Sequence, residues 1–288
     1  MRCQELDSIS AGSLILLNRL KMSPVARVAF VERSRTPDDG TAAEGTLHDR
    51  LLDQWGAAIV DGAIAPGDRL PVPDLDSQRP SRTVTREVTR VLQAMGLVTV
   101  KRKVGATVNP RRLWNIFDPR VIEWRLRGPG RGRTLHELSE LRACVEPMAA
   151  QLAASHADQD QWAKLTRAAI DMVANADRAD GPDYLRADET FHRTLLEASG
   201  NAMFAALGDV IASVLSGRTR HELMPRKADE KALRLHGDVA ALIRRGDAEG
   251  ARHAMDWIVD ESDRAIEHMT RKDSEDFVPA ADEESSEF

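Results

Sequence analysis

The sequence predicts a mainly α chain in two parts: a short basic segment of small helices closed by a β-hairpin, then an antiparallel bundle of long helices. Three observations point there. Apolar residues recur at helical spacing from Leu47 to Asp61, from Ser81 to Leu92, and almost without a break from Arg133 to Arg271. Ala, Leu, Arg, Asp and Glu dominate while aromatics make up only 4% of the chain, a composition that favours helices. Strand-like alternation is confined to Leu97–Val100 and Ala106–Val108, which flank the basic tip Lys101-Arg102-Lys103-Val104-Gly105.

At 288 residues, 42% hydrophobic and 30% charged, the chain can form two domains with real cores. Its net charge of −6 does not suggest a nucleic-acid partner, but the charge is unevenly spread. From Thr46 to Arg112 eleven basic residues face seven acidic ones, so this segment carries about +4. Cys3 and Cys144 are the only cysteines, which implies no disulfide framework and a cytoplasmic setting. The run Leu14-Ile15-Leu16-Leu17 is too short for a membrane span or a signal core, and no membrane partner is expected. Residues 1–45 lack periodicity and read as a disordered arm.

In order, the first helix carries the stripe Leu47, Leu51, Leu52, Trp55, Ile59 and Val60, and Gly62 stops it. Arg69-Leu70-Pro71-Val72-Pro73 is extended because two prolines exclude helix, and Asp74–Gln78 can supply only a stub. Ser81 caps the next helix, whose apolar face is Val84, Val88, Val91 and Leu92. Its other face presents Arg82, Thr83, Thr85, Arg86 and Arg90, side chains suited to guanine edges and phosphates in a major groove. Helix, stub, helix and basic hairpin make a winged helix-turn-helix, assigned to residues 46–109. The DNA-contacting set is Arg50, Ser81, Arg82, Thr83, Thr85, Arg86, Arg90, Lys101, Arg102, Lys103 and Gly105.

This segment resembles the GntR superfamily of bacterial transcription regulators. The resemblance rests on Ile59 and Gly62, Pro66-Gly67 with Leu70-Pro71, Ser81-Arg82-Thr83 with Arg86-Glu87, and Gly96-Leu97-Val98 before Gly105. It implies that Arg82 and Arg86 read bases and that Gly105 brings the wing backbone close to DNA. Nine residues separate Leu70-Pro71 from Ser81-Arg82, about two fewer than the family shows, and Pro73 and Pro80 fall where the supporting helix should run. That helix is therefore expected to be short or irregular.

Residues 110–132 read as a linker with two apolar runs, Leu113–Phe117 and Val121–Trp124, expected to pack on the second domain and fix the angle between domains. The bundle, 133–272, is read as helices over Leu135–Ser155, Asp158–Ala176, Pro182–Ser199, Ala202–Arg220, Lys227–Arg245 and Asp247–Arg271. The second is expected to bury a face of Trp162, Leu165, Ile170 and Val173. Residues 273–288 read as a disordered acidic tail.

Arg142 and Glu146 stand four apart on the first bundle helix, as do Asp188 and His192 on the third, with His236 on the fifth. An Asp and a His at that spacing can point at one ion or one ligand. This half resembles the FadR branch of the same superfamily, with its FCD-type ligand-binding domain. The supporting residues are Glu140-Leu141-Arg142 with Glu146-Pro147, Asp188-Glu189-Thr190-Phe191-His192 with Gly200-Asn201, and His236 with Gly246-Asp247.

The resemblance implies a divalent metal, zinc or nickel, held by Asp188, His192 and His236, with Ile258 where the branch carries a further His. Ile258 and the stretch from Gly105 to Trp124 are similar to a sugar-acid-responsive group within the branch. The expected effector is therefore a small carboxylate such as an aldonate. Arg142 would pair with its carboxylate, and Glu146, Asp188, His192, Asn201, Ser213, Arg218 and His236 would line the pocket.

The function expected is a ligand-responsive repressor, a homodimer on a palindromic operator in double-stranded DNA, and not an enzyme. Two alternatives stand beside it. One is a metal-dependent hydrolase or lyase with Glu146 as base, and the other a helical dimerisation module with a vestigial pocket.

Overall fold

The computed structural model describes residues 46–275 apart from 74, 76–78 and 221–223, with side chains as far as Arg264. The expected arm over 1–45 and the tail beyond 275 lie outside the described residues, as does the stub helix except for Leu75. Leu75 is buried and sits in a single β-bridge rather than a helix.

The fold is mainly α, a winged helix-turn-helix followed by a helical bundle. Helix α1 (Leu47–Val60) is capped by Thr46, whose Oγ1 accepts from the Asp49 amide, and it buries Leu51, Leu52, Trp55, Ile59 and Val60. Helix α2 (Arg82–Ala94) is capped by Ser81 as expected, with its Oγ accepting from the Val84 amide at 3.2 Å. Val88 and Leu92 fill the core against α1, with Val84 and Val91 packed at its edge. Gly96 follows at φ 75°, and a Cβ there would lie 2.1 Å from the Leu113 carbonyl oxygen. Only glycine can make that turn while the returning chain crosses so closely.

Strands β1 (Val98–Lys101) and β2 (Gly105–Val108) pair antiparallel with Val98 opposite Val108 and Lys101 opposite Gly105. The extended segment expected around Arg69 joins them as a third, short partner. The Leu70 amide donates to the Ala106 carbonyl and the Val108 amide to the Asp68 carbonyl.

The linker departs from the expectation. It contains a short 3-10 turn (Arg111–Leu113) and a helix, α3 (Pro119–Arg127), capped by Asp118 and opened by Pro119. This helix packs on both parts of the molecule, not on the second alone. Val121 and Trp124 enter the winged-helix core, while Ile122 and Leu126 pack with Leu135, Leu138, Val210 and Val214 of the bundle. The Trp124 Nε1–H donates to Asp53 on α1 at 2.7 Å, and Arg127 forks onto the same carboxylate at 2.9 Å. Leu113, Ile116 and Phe117 are exposed rather than packed. They flank the turn that positions buried Trp114, and the depth of the core is reached by the tryptophans instead.

The bundle comprises α4 (Arg131–His156), α5 (Gln159–Ala174), α6 (Pro182–Ala198), α7 (Ala202–Ala205), α8 (Gly208–Arg220), α9 (Glu230–Arg245) and α10 (Ala248–Glu275). Asp158 and Gln161 form a reciprocal capping box at the start of α5. Gly246 closes α9 in the left-handed conformation. The single helix expected over 202–220 is broken at Ala206-Leu207, so α7 is one short turn. The expected face of α5 is also corrected. Leu165, Ala168, Ala169 and Met172 are buried, whereas Ile170 and Val173 are 56% and 57% exposed. Small alanines let α5 approach α6 closely, which rotates the larger side chains outward.

Helix α3 holds the two cores together through two glycines. A Cβ on Gly56 of α1 would lie 2.3 Å from the Trp124 ring, and one on Gly217 of α8 would lie 2.7 Å from Leu126 Cδ1. Substituting Gly56→Val should overpack the first contact and lower stability by about 1–3 kcal/mol in urea unfolding. A wild-type midpoint would show that the Trp124 seat on α1 is not tight.

Candidate functional site

Two sites emerge, one exposed and one buried. On α2, Ser81, Arg82, Thr83, Arg86 and Arg90 are exposed and Thr85 is half-buried. The Thr85 hydroxyl donates back to the Ser81 carbonyl at 3.1 Å, so it is turned to its own helix. Arg86 and Arg90 flank Glu87, at 3.6 and 3.2 Å from its Oε1. These are exposed pairs of little energy that an anionic partner can displace. Lys101, Arg102, Lys103 and Gly105 lie at the exposed wing tip. There Lys103 (φ 67°) and Gly105 (φ 91°) both take left-handed backbone, which the glycine adopts at no steric cost. Arg50 lies half-buried on α1, near the helix start.

The buried site lies within the bundle. Helices α4, α6, α8, α9 and α10 bring together Arg142, Glu146, Asp188, His192, Arg218, His236 and Ser262, all buried. Arg142 is the first correction. Its fork, expected to await a ligand carboxylate, is taken by Glu146, with Nε and a terminal nitrogen each 3.2 Å from one carboxylate oxygen. His192 stands between two carboxylates, its Nδ1 3.2 Å from Glu146 Oε2 and its Nε2 3.3 Å from Asp188 Oδ1. The Nδ1 nitrogen makes no well-formed hydrogen bond despite that closeness.

His236 donates from Nδ1 to the Ala232 carbonyl at 2.7 Å, which leaves a lone pair on Nε2. That nitrogen has no hydrogen-bond partner and lies 3.8 Å from Asp188 Oδ1. Phe191, which the sequence reading did not single out, sets both imidazoles, with ring centroids 5.7 Å from His192 and 4.9 Å from His236.

The charges follow from this packing. Burial opposes ionisation of Glu146 and Asp188, but Arg142 and His192 beside the first, and His192 and His236 beside the second, hold both carboxyls below the usual range. Burial likewise disfavours charged His192, yet the two carboxylates outweigh it and push its pKa up. At His236 burial wins, with charged His192 adding to it, and the imidazole is kept neutral, its pKa lowered to about 4.

Asp188, His192 and His236 present one donor atom each within 4.8 Å of one another, so this trio could hold a metal ion. The residues fit such a group. A buried imidazole nitrogen with a free lone pair, fixed by its other nitrogen on a backbone carbonyl, is the usual state of a metal-binding histidine. Glu146 would steady His192 in the same way, once that ring is neutral.

Arg218 was a minor candidate and gains weight. It is buried on α8, its Nε has no partner, and among the described residues it has no carboxylate within ion-pair distance. One terminal nitrogen donates to Ser262 Oγ at 2.6 Å, and Arg142 reaches the same hydroxyl at 3.4 Å. Ser262 was missed in the sequence. The available signal was its place one turn after Ile258, a polar residue on an otherwise apolar helix face. Two further candidates are turned to their own backbone. Asn201 Oδ1 accepts from the Met203 amide, and Ser213 donates to the Asp209 carbonyl.

An exposed basic helix and wing joined to a bundle with a buried polar pocket define a ligand-responsive DNA-binding protein. Residues 137–261 match the FCD domain family. The chain is 31% identical over 225 residues to the galactonate operon transcriptional repressor of Escherichia coli (strain K12), across 77% of this chain and 97% of that protein. It is 29% identical over 159 residues to the HTH-type transcriptional regulator LutR of Bacillus subtilis (strain 168), across 54% of this chain and 70% of that one. A solved GntR protein of Streptococcus agalactiae is 21% identical with a TM-score of 0.42, across 76% of this chain and 100% of that one.

This chain belongs to the GntR family of transcription regulators, in the FadR-type branch that carries an FCD domain. Such proteins bind DNA and small-molecule effectors and are not enzymes, which removes the hydrolase or lyase alternative.

Removing Glu146 should leave Arg142 buried without its carboxylate. Glu146→Ala is expected to lose about 3–5 kcal/mol in denaturant unfolding, and Glu146→Gln less. A loss below about 1 kcal/mol would mean that the pair is not held in the interior.

Proposed function

We propose that this protein is a cytoplasmic repressor of an operon for carbohydrate-acid or other carboxylate breakdown, released from its operator by a small carboxylate bound in the bundle. The observation that carries this reading is Arg218, a buried guanidinium with an unpartnered Nε and, among the described residues, no carboxylate within ion-pair distance. A buried charge of this kind is costly unless an anion joins it. A ligand carboxylate supplies that anion, in the bidentate geometry that suits arginine. The Asp188, His192 and His236 cluster, with zinc or nickel bound, would take the acid's remaining oxygens. The likeness to a galactonate operon repressor makes an aldonate the first effector to test.

The domain reading places DNA recognition in 46–109 and effector binding with dimerisation in 133–272. Two copies would set two recognition helices on the half-sites of a palindromic operator. The face for self-association is the outer side of α5 and α9. Exposed Ile170 and Val173 border an apolar groove of about 510 Å³ there, lined by Trp162, Leu233 and Gly237 among others. Among the described residues no helix is long and apolar enough to cross a membrane.

Effector binding reaches the DNA-binding part along a short path. Helix α8 carries Arg218 in the pocket and Arg220 at its end, and Arg220 pairs with Glu123 of α3 at 2.8 Å. Arg127 of α3 then holds Asp53 of α1. A shift of α8 on binding is thereby passed to α1, to the extent that the effector prefers one arrangement.

The reading is tested with an operator selected from random duplex DNA. Arg82→Ala and Arg86→Ala should each weaken operator binding by about 1–3 kcal/mol in fluorescence anisotropy. Both should keep the wild-type melting temperature and its rise with D-galactonate. Normal operator binding by both variants would overturn the assignment of α2. No aldonate releasing wild-type protein from the operator would overturn the effector.

A further inference from the structure

The buried pocket is short of one donor and balanced in one respect. Three protein donors converge, from Asp188, His192 and His236. Helix α10, which closes the pocket through Ser262, offers Ile258 one turn earlier on the same buried face, and a hydrocarbon side chain has no lone pair to give. Among the buried side chains the fixed charges already cancel, with Arg142 and Arg218 against Glu146 and Asp188. A divalent ion takes the place of the His192 proton and leaves positive charge that, among the described residues, no buried side chain offsets. Uncompensated charge in the interior is expensive, and three donors leave coordination positions open.

Resting on the effector reading above, we infer that metal ion and effector enter this pocket as a pair: the ion is retained only with a 2-hydroxy carboxylate, which completes its coordination and neutralises it, and the acid is held well only with the ion. A 2-hydroxy acid suits both needs. Its carboxylate and neighbouring hydroxyl can reach one ion together, while the second carboxylate oxygen meets Arg218. The exchangeable Ser262 hydroxyl, which now accepts from Arg218 at 2.6 Å, marks where that arginine turns when an anion arrives. The protein then reads two quantities at once, the acid and the available metal.

Linkage makes this measurable, because each ligand must raise the other's affinity by one common factor. The full chain, freed of metal with a chelator, is titrated calorimetrically with Ni²⁺, with D-galactonate, and with each in a saturating excess of the other. Wild-type protein should show a common factor of at least about tenfold, within the range of strong allosteric coupling. Ile258→His restores a fourth donor, so Ni²⁺ alone should bind at least about tenfold more tightly than to wild type, and the coupling factor should fall below about threefold. Ile258→Leu should keep the wild-type factor.

Equal Ni²⁺ affinity with and without galactonate overturns the coupling while leaving the effector reading in place. Failure of galactonate, glycerate and lactate to bind under any condition overturns the effector reading and the coupling with it. If the histidine variant does not fold, the reciprocal wild-type titrations decide alone.

Discussion

The seat of Trp124 on α1 is the contact on which the rest of the molecule depends. Its ring lies where Gly56 has no side chain, and its N–H and the Arg127 fork share the carboxylate of Asp53. Burial raises the proton affinity of Asp53, but these partners outweigh it and keep the group ionised. The same helix buries Ile122 and Leu126 against α4 and α8 on its other side. A nine-residue helix thus closes two cores at once, and the winged-helix part is joined to the bundle by packed side chains.

The buried pocket shows a different balance. Glu146 and Arg142 satisfy each other, and His192 lies between two carboxylates, so most of the site is complete without a ligand. Three pocket atoms are without a hydrogen-bond partner: His192 Nδ1, His236 Nε2 on α9 and Arg218 Nε on α8. Helix α8 meets α3 through the Arg220–Glu123 pair and at Leu126, and α4 packs on α3 through Leu135 and Leu138.

What could be read from the sequence was whatever is local. Ser81 as cap and the Val84, Val88, Val91, Leu92 face needed only helical spacing, and both are present in the structure. Helix α3 was not legible because Val121, Ile122, Trp124 and Leu126 surround it on two sides, which reads as an apolar linker without a face. Ile170 and Val173 fitted the period of α5 as well as the true stripe did. Which stripe is buried was decided by the small Ala168 and Ala169 against α6, a tertiary fact. At the pocket, the spacing of Arg142 and Glu146 put them on one face, but nothing local told that they would bond to each other and leave Arg218 as the open cation. Ser262 carried only a weak signal, a polar residue one turn after Ile258 on an otherwise apolar helix face.

Because α3 belongs to both cores, this regulator has no neutral place at which to be cut and rejoined. A chimera joined before Pro119 would give Trp124 to a foreign α1 lacking the Gly56 hollow, and one joined after Arg127 would set Leu126 against an α8 without Gly217. Interchangeable sensors and readers of this kind must travel with matched glycines on both sides, so the exchange unit is the helix together with the two bare backbone patches that receive it.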